Sequence, residues 1–363
     1  MRSSPQLALC GLALVFALGC EKKREEVPST AQPVQTSAVV PAPAAGAPKT
    51  TYDRAQLAIF APLPPKIERP DNPLTDDKVS LGRQLYFDAR LSAGKDVSCN
   101  SCHDLANSGI DGAPVSAGTK KAAGKLNTPT VLNAAGQFAQ GWDSRAPTVE
   151  AFVVPHIIDA TVMGMGDDKH LVGVLSSAPA YAAAFKKAFP DDKGAVTADT
   201  VSKALGAYLR SLITPSRWDK FLAGDESALT DVEKGGLGTF MDAGCTTCHA
   251  GPYVGGAMYQ KLGLAKPWPG PAGDDPGRFA FTNEPVEKGC FKVPMLRNVT
   301  RTAPYLHDGS LKTLDETLHL MERHEVGREL SDGQVKAIAA FLVALEGDPP
   351  KELASKPTVT TKQ

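Results

Sequence analysis

Apolar residues recur at helical spacing in several separate stretches of this chain, which predicts a mainly α-helical protein. A helix opens at Thr75-Asp-Asp-Lys78 and carries Val79, Leu81 and Leu85 along one face. Residues 178–189 and 197–213 read as two more, the second with Val201, Leu205, Tyr208, Leu209 and Leu212 in register. Thr230-Asp-Val-Glu233 and Ser331-Asp-Gly-Gln334 have the capping-box form, in which two side chains satisfy each other's unbonded amides. The second starts a closing helix with Val335, Ile338, Ala339, Leu342 and Leu345 inward. From about residue 104 to Gly166 the periodicity fails, and Gly, Pro and Asn predominate. A stretch that long inside a compact unit usually wraps around something. Thr214-Pro215 breaks the chain between two halves.

The first residues read as a targeting segment. Arg2 precedes an apolar run over 7–18, too short to span a bilayer, which ends in Ala17-Leu18-Gly19-Cys20. Small residues before a cysteine predict cleavage and lipidation at Cys20; simple cleavage and an uncleaved anchor are the alternatives. Residues 20–52 then form an anchor and a Pro/Ala-rich tether, 53–213 a first domain, 214–348 a second, and 349–363 a disordered tail.

Composition adds two limits. A net charge of −1 gives no field that would gather nucleic acid. Low aromatic content (6%) with 33 Gly and 29 Pro suits loops folded around cofactors better than a large sheet core. Of seven cysteines, Cys10 and Cys20 lie in the targeting segment and four form Cys99-Asn-Ser-Cys102-His103 and Cys245-Thr-Thr-Cys248-His249. Cys290 is read as a buried, inert thiol.

The spacing of those four cysteines carries the chemistry. Two thiols separated by two residues can add across the two vinyl groups of one haem, and the adjacent histidine binds its iron. A zinc site would need further ligands at matching spacing, and neither motif has them nearby. The chain is therefore expected to carry two covalent haem c groups, with His103 and His249 as axial ligands. Spacing does not choose a sixth ligand among His156, His170, His307, His319 and His324.

Further landmarks make the chain resemble the bacterial dihaem cytochrome c peroxidases, a family that includes the dihaem enzyme maturing methylamine dehydrogenase. They are Leu81-Gly-Arg-Gln-Leu-Tyr-Phe-Asp88, Asn127-Thr-Pro-Thr-Val-Leu-Asn133, Trp142-Asp-Ser-Arg145, Met163-Gly-Met165, Lys292-Val-Pro-Met-Leu-Arg-Asn298 and Ala303-Pro-Tyr-Leu-His-Asp-Gly309. The resemblance implies two cytochrome c-type haem domains with extended haem-wrapping loops. It implies a high-potential, electron-accepting second haem held by His249 and Met321, with Met295 the competing ligand and core packing the other reading of Met321. It also implies Trp142 between the haems, His307 near the second haem, and calcium bound through Asn127 and the carbonyls of Thr302 and Pro304.

The sequence departs from the family at the first haem. A histidine that caps the resting iron in many members is replaced by Thr119, which predicts an open or water-bound haem. The usual Gln and Glu over this haem read Phe152 and Val162. His156 stands at a typically proline position facing the same pocket, as an acid–base group, an iron ligand or a bystander; Asp159 is a weaker substitute base. The favoured reading is a periplasmic peroxidase that reduces hydrogen peroxide with electrons from a small cytochrome c or cupredoxin, tethered to the membrane only by lipid and dimeric by analogy. Its rivals are an oxidase of a protein or organic substrate through high-valent iron, and a two-haem electron carrier without peroxide turnover.

Overall fold

The computed structural model describes residues 52–357. The expected signal, the Cys20 anchor, most of the tether and the last residues of the tail lie outside them. The first half is built on α1 (Asp76–Tyr86), the single turn α2 (Cys99–Cys102), α3 (Val149–Ile158), α4 (Asp168–Ser176), α5 (Pro179–Ala188) and α6 (Ala198–Arg210). The second has α7 (Arg217–Leu222), α8 (Asp231–Asp242), the short turns α9 (Pro271–Asp274) and α10 (Phe279–Thr282), then α11 (Leu314–Met321) and α12 (Asp332–Val343). A two-stranded antiparallel ribbon pairs β1 (Tyr259–Lys261) with β2 (Cys290–Lys292). Cys290 is fully buried in β2, its thiol directed at the Val286 carbonyl.

The predicted helix starts hold. Thr75 accepts from the Lys78 amide, and the capping boxes at Thr230 and Ser331 open α8 and α12. Among the helices not expected are α3, α4 and α7. α7 follows immediately on the break at Pro215, and α3 and α4 flank the end of the stretch read as aperiodic. α3 contains Pro155, which cannot donate to the helix and normally breaks it. It persists because Thr148 caps its start and Val149, Val154 and Ile157 are buried in the first core.

Each half has the same crossing. The helix leading into the cysteine pair lies across the helix that closes the half, with a glycine at the contact. A Cβ on Gly82 of α1 would fall 2.0 Å from the Ala204 carbonyl oxygen of α6. One on Gly236 of α8 would fall 1.9 Å from that of Ala337 in α12. The bare backbones let the helices approach closely enough to bury Leu81, Leu85 and Leu205 in one core, and Leu237, Ile338 and Phe341 in the other.

Both ends of the described chain cross to the opposite half. Leu57 and Phe60 are buried in the second core, with the Phe60 ring 5.2 Å from Trp218. The tail expected to be disordered from 349 is instead docked on the first half over its described part. Leu353 and Ala354 pack on that core, Tyr208 donates to the Leu353 carbonyl at 2.7 Å, and Arg83 Nε donates to that of Ser355 at 2.8 Å. Apolar contact and two hydrogen bonds offset the ordering entropy that composition alone suggested would win.

The crossing makes a prediction. Gly82→Ala should lower stability by about 1–3 kcal/mol, a fall in Tm of roughly 3–10 °C, because backbone must move. Gly173→Ala in α4, where a Cβ meets nothing within 4 Å, should instead raise Tm by roughly 2 °C. Thermal unfolding of the two variants side by side checks both.

Candidate haem sites

In the first half, α2 presents Cys99 and Cys102 as partly buried thiols not bridged to one another. His103 follows as the helix unwinds. Its Nδ1–H donates to the Pro129 carbonyl at 3.0 Å, and Tyr86 donates its hydroxyl to the His103 carbonyl. That bond fixes the tautomer and leaves Nε2 as the basic nitrogen. Burial lowers the His103 pKa, so the ring is neutral, as ligation requires.

Opposite His103 stands α3. Phe152 and His156, one turn apart, present stacked rings with centroids 5.0 Å apart. The His156 centroid is 6.3 Å from that of His103. Burial, and secondarily His103, push the His156 imidazole down to about 4. α3 is fastened by Glu150, which accepts from Arg210 Nε at 3.0 Å and from Asn72 Nδ2 at 3.1 Å.

The other predicted distal residues are engaged elsewhere. The buried Thr119 hydroxyl donates to Asp96 at 2.7 Å and accepts from the Gly94 amide at 2.9 Å. Val162 is tied through its backbone, its carbonyl accepting from the Thr119 amide at 2.7 Å and its amide donating to the Asp159 carbonyl at 3.0 Å. Asp159 accepts from both the amide and the hydroxyl of Thr161 at 2.7 Å. Burial raises its pKa, but the Thr161 bonds and His156 outweigh that and hold the carboxyl low.

The second half repeats the plan. Cys245 and Cys248 are partly buried and not bridged to one another, and His249 is held at Nδ1 by the Val254 carbonyl at 3.3 Å, with the Pro294 carbonyl also in reach. Gly255 is obligatory there: its φ is +126°, and a Cβ would lie 2.2 Å from the Pro294 oxygen. Burial pushes the His249 imidazole down to about 4. Met321 ends α11, partly buried beside Trp268, Tyr305 and Leu311. Its rival Met295 is buried with its sulfur 3.5 Å from Gln137 Nε2, committed to the contact between halves.

Sequence reading overlooked an internal repeat. Pro129 and Pro294, whose carbonyls face the two histidines, each stand four residues before an asparagine of positive φ, Asn133 and Asn298. Both side chains meet the Thr214 hydroxyl, at 2.7 and 3.2 Å. The repeated Pro-x-x-x-Asn was the available signal.

Trp142 lies at the junction. Its indole N–H donates to the Asn127 carbonyl at 2.9 Å, and its own carbonyl accepts from the Lys292 amide at 2.9 Å. The buried His307 ring is 6.3 Å from the indole and stacks on Phe291 at 4.2 Å. Asn127 donates its side-chain amide to the carbonyls of Ala113 and Pro114 and its backbone N–H to that of His307. Thr302 and Pro304 precede His307 in the same loop, with the Thr302 hydroxyl bonded to the Val299 carbonyl. Buried Lys292 reaches Gln137 Oε1 at 2.8 Å, and burial pushes its amine down to about 8.

The donor chemistry fits two haem c groups: two pairs of partly buried thiols, each followed by a half-buried imidazole with one nitrogen held. Among the described residues no three His, Cys, Asp or Glu side chains are gathered to hold a metal ion, so the pairs lack a zinc cage's remaining ligands.

Known proteins agree with this arrangement. Residues 76–227 match the family model described as di-haem cytochrome c peroxidase. Cytochrome c551 peroxidase of Nitrosomonas europaea is 39% identical over 300 residues, 81% of this chain and 86% of that protein. The Pseudomonas aeruginosa protein of the same name is 37% identical over 317 residues, 83% of this chain and 87% of its own. A MauG-like protein associated with microbial copper homeostasis has a solved structure that superposes with a TM-score of 0.69 at 26% identity, covering 81% of this chain and 95% of that one. With its paired thiols, held histidines and similarity to these relatives over most of its length, the chain belongs to the di-haem cytochrome c peroxidase family.

Proposed function

We propose that this protein is a periplasmic peroxidase, tethered through a lipid on Cys20, that reduces hydrogen peroxide to water with electrons from a small cytochrome c or cupredoxin. The observation that carries the reading is the repeated unit of two thiols and a carbonyl-held histidine, once in each half, with Trp142 bonded to both. The cytochrome c peroxidases among its relatives support the same chemistry. When bound, the haems supply iron that accepts electrons singly and delivers two to peroxide, which with two protons becomes two waters.

The residues divide this work. His249 and Met321 hold the electron-accepting group, and the thioether keeps its potential high. Trp142, bonded to the loop of Asn127 and to the strand of Lys292, offers an aromatic bridge between halves. His103 holds the group that meets peroxide. His156, its ring 6.3 Å from that of His103, is a neutral imidazole that would be suited to take a proton from one peroxide oxygen and return it to the other. Asn127 turns its amide nitrogen toward two carbonyls, so its oxygen faces elsewhere. That fits a calcium ion held by Asn127 with the carbonyls of Thr302 and Pro304. A homodimer follows by analogy with the family.

Haem-loaded protein should oxidise a reduced small cytochrome c only when peroxide is present, two cytochromes per peroxide; oxidation indifferent to peroxide would sink the reading. A Cys245→Ala, Cys248→Ala double variant should carry one haem by pyridine haemochromogen assay and lose donor-dependent turnover. Met321→His should lower the midpoint potential of the second haem in a spectroelectrochemical titration and slow electron acceptance, leaving the first haem's potential in place. Chelation should slow turnover and added calcium restore it, with unchanged activity counting against the junction ion.

A further inference from the structure

We propose that His156 is the second axial ligand of the first haem at rest, closing the iron that peroxide must reach. The inference rests on haem attachment at Cys99 and Cys102 and on the peroxide site proposed above. The spacing of the two rings bears on the role His156 takes at rest, before any shift to the acid–base position.

A metal–imidazole bond is about 2.0 Å and the bonding nitrogen lies about 1.1 Å from its ring centroid. Two imidazoles on opposite sides of one iron therefore hold their centroids about 6.2 Å apart. His103 and His156 are 6.3 Å apart. An acid–base imidazole must leave room for an oxygen on the iron and a hydrogen bond to it, which would put the centroids about 9 Å apart. A bystander would have no reason to match either figure. The 49° between ring planes is compatible with ligation, because each ring is free to turn about the common axis.

The surroundings favour the same assignment. Phe152 stacks on His156 and fixes the ring's orientation. Thr119 and Asp159 are committed to bonds with Asp96, Gly94 and Thr161, so neither competes for the position. Pro155 has no N–H for the Ala151 carbonyl, so α3 is one hydrogen bond short just before His156, while its start is fastened through Glu150 and its end through buried Ile157, whose carbonyl accepts from the Met165 amide at 3.1 Å. A shift of about 3 Å at His156 separates the ligating spacing from the acid–base one. The resting enzyme is therefore capped by its own α3, and peroxide reduction requires that turn to yield.

Electron paramagnetic resonance and visible spectra of the fully haem-loaded ferric protein test this without turnover. Wild type should show both haems low-spin. His156→Ala should convert one haem per chain to high-spin while the His249/Met321 haem keeps its spectrum, which reports that the variant is folded. Added imidazole should return that haem to low-spin. A first haem already high-spin in wild type and unchanged in His156→Ala would overturn the inference and leave the peroxidase reading standing. A low-spin first haem released by His156→Ala, in a protein that never consumes peroxide even after reduction of the second haem, would support the ligand and sink the peroxidase.

Discussion

The bond from each histidine's Nδ1 to a backbone carbonyl organises the molecule. It fixes which nitrogen is basic. In the first half the carbonyl belongs to Pro129, 26 residues beyond His103; in the second it belongs to Val254, five residues on, and the carbonyl of Pro294, 45 beyond His249, comes within reach of the same nitrogen. Each loop must therefore return at a defined height over its cysteine pair. The tight contact at Gly255 and the left-handed Asn133 and Asn298 are consequences of that return. A loop positioned this way cannot also carry a regular helical face, which is why the chain between motif and proline lacks periodicity.

The two loops are not independent. Asn133 and Asn298 converge on Thr214, at the break between halves, and Asn298 also accepts from the Gly347 amide at 2.7 Å. A single buried hydroxyl thus ties the loop behind one histidine to the loop behind the other. Buried polar groups of this kind are costly unless every member is satisfied, so a shift in one loop is resisted by the other. Leu57 and Phe60 on the second core, with Leu353 and Ala354 on the first, add an apolar clasp in each direction. Trp142 sits in this stiffened region with its indole N–H satisfied. That suits an aromatic bridge whose geometry must persist through electron transfer.

The sequence made the periodic elements and the covalent chemistry legible. Caps at Thr75, Thr230 and Ser331 placed helix starts, and the two cysteine motifs named the histidines, because spacing along the chain is itself the physical constraint there. Legibility failed where a constraint acts through space. α3 was hidden by Pro155, whose cost is offset by tertiary burial that no local pattern displays. The docking of residues 353–355 depends on Arg83 and Tyr208, far away in sequence. Pro129 and Pro294 contribute carbonyls, which every residue has, so only the repeated Pro-x-x-x-Asn could have exposed them. The resemblance makes Val162 stand where a distal carboxylate is expected, but where His156 lies only the fold supplies.

α3 concentrates these arguments because its two ends are built to opposite purposes. At the start, Arg210 is fully buried and bonds Glu150, while its remaining donors reach the carbonyls of Ile67 at 3.0 Å and Asn72 at 2.6 Å. Separating such a pair leaves an uncompensated buried charge, at a cost of about 3–5 kcal/mol, so this end does not yield on its own. At the other end, Pro155 removes one backbone bond, and the net worth of such a bond is only about 1 kcal/mol. A displacement of His156 therefore leaves the Glu150 anchor in place, but it must be accommodated around Ile157, which is buried in the first core beside it. A proline that looks like a defect in a helix thus stands between a fixed anchor and the histidine proposed as a ligand, where one backbone bond fewer has to give.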